Sequence, residues 1–508
     1  MAPFMLCDDC QSSLPSHDYI HDTEVSKNPS STPHLQDKQS AEGHAADVQR
    51  AYLQYDEARQ KAVLLVQRLE LEMEAMKAYM AGVRSIHAPF RRLVPEVLLR
   101  IFTFAVVDAD YSLRDLSSTP VVLGQVCSLW RELVCSSPHL WASIHVRRPV
   151  PGLNEAASRD GFSRAIQHHL LRSAARPLSL KVGHYADGEA VVEPLLLESH
   201  RWEDLTVENH AVFARLSDPT FNLSSLTTLC VPGVLRRALR LENATALRNY
   251  KGTRVNAFLP WAQLTSATLA VSSPRDCFQS MKRCQNAVSF TGEGLCCLRT
   301  DELLSVDDML ALPNLRELRL RSEDVRTSLA EHIFPHLTVP RLSSLEFGAC
   351  KTHLPWIWHS KTSLQALQDC VERSRATLTS LTLSYVKIKS ADLKELLGTL
   401  PFLEHLCVAD EGGDRSLINL AVNTLTPAAR SGRGDMCIPR LRDLELRMRW
   451  NPNCEKLTRL LRVRSVANSG ALFSLTLRLH EEGWVADWAR RDLLDLLPSL
   501  VVKVGMPK

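Results

Sequence analysis

Seven times between residues 225 and 477 the chain returns to one short phrase. LPNLRELRL (312–320), VPRLSSLEF (339–347), LPFLEHLCV (400–408) and IPRLRDLEL (438–446) share the template apolar, Pro, x, Leu, x, x, Leu, x, apolar. TLTSLTL (377–383), ALFSLTL (471–477) and SLTTLCV (225–231) keep it without the proline. The last two apolar positions alternate with polar ones, which is the period of a strand with one buried face. Helix-like pieces lie between, such as SADLKELLGTL (390–400), where Leu393, Leu396, Leu397 and Leu400 share one face. One such unit cannot bury its apolar face alone, but stacked units bury a continuous one. The repetition therefore predicts an α/β array of successive strands.

The pattern resembles an irregular leucine-rich repeat, with common leucines 315, 342, 378, 403, 441 and 472 spaced by 27, 36, 25, 38 and 31 residues. That resemblance implies a curved α/β solenoid with strands on the inner side, here assigned to residues 148–508. PLSLKV (177–182) and RWEDLTV (201–207) are expected to begin it, and the Gly/Arg-rich stretch around 427–437 reads as an insert. Alternation points a polar set outward: Glu317, Arg319 and Arg321, then Ser344 and Glu346, Ser380 and Thr382, His405 and Cys407. Asp443, Glu445 and Arg447 follow, then Ser474, Thr476 and Arg478. Charges of both signs suit a target protein better than a phosphate backbone, which wants a basic stripe. The expected target-binding residues are Glu317, Arg319, Arg321, Glu346, Thr382, His405, Asp443, Glu445, Arg447 and Arg478.

Composition narrows the rest. At 508 residues the chain exceeds one ordinary core, and its formal charge of +3 argues for neither nucleic acid nor an acidic membrane. Fourteen cysteines without a dense framework suit a reducing compartment. The start, MAPFMLCDDCQ, lacks the build of a signal peptide, and no apolar run approaches a membrane span. The expected setting is cytoplasm, nucleus or both. Residues 1–46, polar and aperiodic, read as a disordered tail; Cys7, Cys10, His17 and His21 have the wrong spacing for a zinc finger, so no metal is expected.

From 47 to 88 helix formers dominate. Ala58, Ala62, Leu65, Leu69, Met76, Tyr79 and Val83 follow spacings of four and three, with Glu72 interrupting. This predicts one long amphipathic helix ending near Gly82 and Pro89, with two readings open: a weak homodimer, as a short coiled coil through residues 47–84, or a helix folded back on its own neighbours.

Residues 89–147 form a third pattern. After Pro95, Leu98, Ile101, Phe102 and Ala105 fall on one helical face; Leu123, Val126, Cys127 and Trp130 repeat the spacing. Ser137 then offers an N-cap to a short helix from Pro138, with Leu140, Trp141 and Ile144 as its apolar side. In order the chain reads L-x-P-E-x-L-x-x-I-F, x-V-C-x-x-W-R-x-L and S-P-x-L-W. This is similar to the F-box, the adaptor-docking module of Skp–cullin–F-box ubiquitin ligases. The resemblance implies that Leu93, Pro95, Leu98, Ile101 and Phe102 face a Skp adaptor, and through it a cullin, with Val126 and Trp130 extending that surface. In the family pattern a proline directly follows the first leucine; here Val94 does. The alternative is a scaffold without ligase association, whose three helices cap the repeat array.

No arrangement for catalysis stands out. G-x-S-x-G, G-x-x-x-x-G-K-[ST] and H-E-x-x-H are all missing, and adjacent pairs such as Asp307-Asp308 and His168-His169 point in different directions on a helix or strand. The expectation is a non-enzymatic receptor without a cofactor.

Overall fold

The computed structural model describes residues 35–86, 89–108, 119–146 and 155–479 apart from short connecting segments, with short strands at 4–7, 12–14 and 501–505. Two compact units divide the chain at Leu98/Leu99. In the first, α1 (Leu35–Ile86) is a single helix of 52 residues, so it begins inside the stretch read as a tail. Its length is about 78 Å at 1.5 Å per residue. Ion pairs one turn apart line it: Asp56–Arg59 at 2.8 Å, Glu57–Lys61 at 2.9 Å, Arg68–Glu72 at 3.2 Å and Glu74–Lys77 at 3.0 Å. Each supports the helix by about 0.3 kcal/mol. Phe4–Cys7 pairs antiparallel with Ser12–Leu14. Cys10, His17 and His21 lie outside the described residues.

The second unit holds helices followed by a sheet. α2 (Pro95–Asp108) starts in the last residues of the first unit and runs into the second. α3 (Thr119–Val126), α4 (Ser128–Cys135) and a 3-10 turn, Pro138–Trp141, follow. The expected single helix through Leu123 and Trp130 is thus two. Cys127 breaks it with an extended backbone (φ −158°, ψ 171°), and its carbonyl accepts the first bond of α4 from Arg131 at 3.0 Å.

A sheet of 14 strands dominates the rest, beside three two-stranded parallel sheets, and among its 14 strands spatial order follows chain order throughout. The strands are β1 (Ser143–Val146), β2 (Leu178–Val182), β3 (Trp202–Val207), β4 (Thr228–Cys230), β5 (Asn249–Thr253), β6 (Ser266–Ala270) and β7 (Ser289–Leu295). Then come β8 (Glu317–Ser322), β9 (Ser344–Ala349), β10 (Ser380–Ser384), β11 (His405–Asp410), β12 (Asp443–Met448), β13 (Ser474–Leu479) and β14 (Val501–Gly505). Neighbouring strands are parallel, so each needs a crossover, which helices such as α5 (Glu155–Arg172) and Ser390–Gly398 supply. The sheet opens at β1, earlier than PLSLKV. Ile144 therefore belongs to a strand and not to the helix predicted for it.

Register explains the core. Ile144, Leu180, Leu205, Leu229, Tyr250, Ala267, Phe290, Leu318, Leu345, Leu381, Leu406, Leu444 and Leu475 occupy one row across thirteen strands and are all buried. A second buried row runs two residues on, through Leu320, Phe347, Leu383, Val408, Leu446 and Leu477. The template's first leucines, such as Leu315 and Leu342, are buried beneath the strand entries, and Leu393, Leu396, Leu397 and Leu400 line the inner face of their helix. Gly348 is required by close approach: a Cβ there would fall 1.8 Å from the carbonyl oxygen of Ser384 on the next strand.

Candidate protein-docking surfaces

The helices that precede the sheet carry more apolar surface than they hide. At 100° per residue, Val97, Leu98, Ile101, Phe102, Phe104 and Val106 of α2 together cover about 200° of its circumference. Leu98, Phe102 and Val106 are buried, while Val97, Ile101 and Phe104 are exposed. Leu98 and Phe102 were expected to face an adaptor; at 2% and 1% exposure they are core side chains, and they cannot present themselves to a partner. Phe102 stacks edge-on against Trp130, with ring centroids 4.7 Å apart. Trp130 is accordingly half-buried and serves the packing of α4 on α2.

Ile101 is 47% and Phe104 60% exposed. Across the break at Cys127, Val122, Val126 and Leu129 are exposed as well. Arg131 Nε donates to the Gly124 carbonyl at 2.9 Å and holds α4 against α3. Of the expected docking residues in the second unit, Ile101 and Val126 are therefore open to a partner. Leu93 and Pro95, in the first unit, are exposed too. Sequence reasoning missed Phe104, Val122 and Leu129. Their signal was present as apolar residues off the expected face.

Trp141 joins the helical part to the sheet. Its Nε1 donates to the Val134 carbonyl at 2.9 Å. His168 and His169 of α5 meet the ring edge-on at 5.2 and 5.0 Å, and the Arg172 guanidinium lies 5.3 Å from its centre. Burial, with the neighbouring His168, pushes the His169 pKa down to about 4, so this imidazole is neutral at ordinary pH. Burial lowers His139 and His168 as well, with Arg176 and Arg172 respectively adding to the effect. Ser137 precedes the 3-10 turn without making a side-chain cap bond. The Leu140 N–H donates to its carbonyl at 3.1 Å.

The second surface is the outward face of the sheet. Glu317, Ser344, Ser380, His405, Asp443 and Ser474 fall in one register row. Arg319, Glu346, Thr382, Cys407, Glu445 and Thr476 fall in the next. The predicted target-binding residues are thus brought together, but most of their charges meet one another. Arg321 donates to Glu346 Oε1 from Nε at 3.0 Å and from Nη2 at 2.8 Å, and its Nη1 lies 3.6 Å from Glu293. Arg319 sits 3.2 Å from Glu317 and 3.5 Å from Glu346. His405 Nδ1 is 2.6 Å from Asp443 Oδ2, and Arg447 Nε donates to Glu445 at 2.9 Å. The side chain of Arg478 lies outside the described residues.

Glu293 was missed because its strand, SFTGEGL, lacks the leucine template. So was the extension of the second row through His145, Lys181, Thr206, Cys230, Lys251, Thr268 and Thr291, in which His145 and Thr291 are buried, as is Cys407, which was expected to point outward. Such a face offers hydrogen bonds and paired charges to a polar protein surface. Among the described residues no cluster of His, Cys, Asp and Glu is placed to hold a metal, and no helix is long and apolar enough to cross a membrane.

No protein-family model matches this chain, and no curated protein does.

Proposed function

We propose that the chain is a substrate receptor of a Skp–cullin–F-box-type ubiquitin ligase, working in the cytoplasm or nucleus without catalytic residues of its own. The observation that carries this reading is the exposed apolar set Ile101, Phe104, Val122, Val126 and Leu129, on helices that bury Leu98, Phe102, Val106 and Val134. Several large apolar side chains in water on neighbouring segments of the chain favour a protein partner. The order of motifs through residues 93–141 supports a Skp adaptor as that partner. The sheet is read as an irregular leucine-rich-repeat solenoid, because strand order follows chain order and one buried position recurs across β1–β13, with a second two residues on in β8–β13. Its outward rows would hold the target protein. Tethering then raises the effective concentration of target lysines beside a ubiquitin-charged enzyme.

Co-expression with a Skp-type adaptor tests the reading. Wild type should co-purify, and Ile101→Asp with Val126→Asp should weaken the complex by at least about 10-fold, since a carboxylate must be desolvated at each site. Both residues are exposed, so thermal unfolding should not move. Leu98→Asp is uninformative because Leu98 is core. Failure of the wild type to bind would favour the scaffold reading, in which the helices cap the sheet. The Trp141 contacts to α5 favour that second reading.

A further inference from the structure

We propose that α1 pairs with the α1 of a second copy of this chain, antiparallel, about a two-fold axis near residue 67. Among the described residues, every one from Lys61 to Arg84 is exposed, Leu65, Leu69, Met76 and Tyr79 with them, Tyr79 at 75%. Val66, Met73 and Met80 widen the same stripe at seven-residue intervals and are exposed too. In the first unit no other helix except a four-residue 3-10 turn and the first turn of α2 is described. A long helix in water is stabilised by packing more than by propensity, and a seven-residue period is matched along its length only by another helix of that period. A second copy brings one with the same stripe.

Orientation follows from the order of side-chain sizes. The seam is small in its first half, with Ala58 and Ala62, and large in its second, with Met76 and Tyr79. It begins at Tyr55, because Ala51 is already buried. Parallel pairing would set alanine against alanine, leaving gaps, and Glu72 against Glu72. Antiparallel pairing sets Tyr55 against Tyr79, Ala58 against Met76, Ala62 against Glu72 and Leu65 against Leu69. Small then meets large in both alanine layers, and each Glu72 faces a methyl group. Glu72 is already paired with Arg68 of its own helix at 3.2 Å, which lowers the cost of bringing it into the seam.

The full chain, followed by light scattering and sedimentation over concentration, should approach twice its 57.0 kDa mass. Leu65→Glu with Leu69→Glu should raise the dimer dissociation constant by about 100-fold or more, as four leucines per dimer leave the seam. Helical circular dichroism on the variant keeps loss of pairing distinct from loss of fold. Ala62→Arg separates the orientations: facing Glu72 of the other copy it should tighten the dimer by roughly 3-fold or more, whereas in a parallel pair it faces itself and loosens it. A monomer at about 100 μM, a trimer, or an Ala62→Arg dimer that does not tighten overturns the proposal.

Discussion

The strands β8–β12 and the helix α1 both carry leucines and treat them in opposite ways. On the strands, Leu318, Leu345, Leu381, Leu406 and Leu444 are at most 2% exposed; on α1, Leu65 and Leu69 are about half exposed. The difference lies in where the partner comes from. A repeat whose buried positions recur in the next repeat finds its complement in its own chain, a few dozen residues away. A helix with a seven-residue stripe that no other described element of its unit repeats does not. The largest test of that contrast is truncation at matched positions. Leu345→Ala, between Leu318 and Leu381, should cost about 3–4 kcal/mol in chemical denaturation, because the neighbouring strands cannot collapse into the cavity. Leu65→Ala, measured where the chain is monomeric, should cost less than about 0.5 kcal/mol. Equal costs would mean that α1 is already packed on something.

The next test lies at Trp141, where the helical part meets the sheet. His169 is held neutral there, its pKa lowered to about 4 mainly by burial. A lowered folded-state pKa favours the neutral form, so its stability contribution is complete above the unfolded value near 6.5 and lost as pH falls toward 4. The limit is about 3 kcal/mol, at 1.36 kcal/mol per pH unit. Urea midpoints between pH 7 and pH 4.5 should therefore fall in the wild type. In His169→Gln, which cannot titrate, they should fall less. Parallel slopes in the two proteins would show that acid acts elsewhere.

What was legible in the residues, and what was not, follows the same division between local pattern and pairing. The leucine template placed Leu318, Leu345, Leu381, Leu406, Leu444 and Leu475 in one row, as the register has them. It missed β5, β6 and β7, whose inward pairs are Tyr250 and Gly252, Ala267 and Leu269, Phe290 and Gly292. Tyr250, Ala267, Leu269 and Phe290 are buried in the same rows as the leucines but spell no motif. On α2, spacing counted the apolar positions without dividing them, so Leu98 and Phe102 were grouped with Ile101 although only the last is exposed. The break at Cys127 was invisible because apolar spacing runs through it unchanged. The outward charges were legible one strand at a time. Their pairing was not, since Glu346 meets Arg319 and Arg321 only once β8 and β9 are in register.

That pairing supports the smallest prediction and bears on how the sheet's outward face works. Glu346 is 12% exposed and sits between two arginines, each about 40% exposed. Arg321 makes two bonds to it at 3.0 Å or less, whereas Arg319 stands at 3.5 Å. Arg321→Ala should cost about 1 kcal/mol, because it leaves a largely covered carboxylate with its weaker partner. Arg319→Ala should cost less. Solvent reaches both arginines, so the cost should shrink in 0.5 M salt, where screening acts within a few ångströms. A double-mutant cycle of Arg321→Ala with Glu346→Gln measures the coupling directly. Coupling of roughly 0.5–1 kcal/mol means that these charges are spent on joining β8 to β9, and a bound protein must hydrogen-bond to the pair as a unit. Coupling near zero would return both side chains to the set free to grip a target, and the strongest contrast between the buried and outward rows would then be polarity alone.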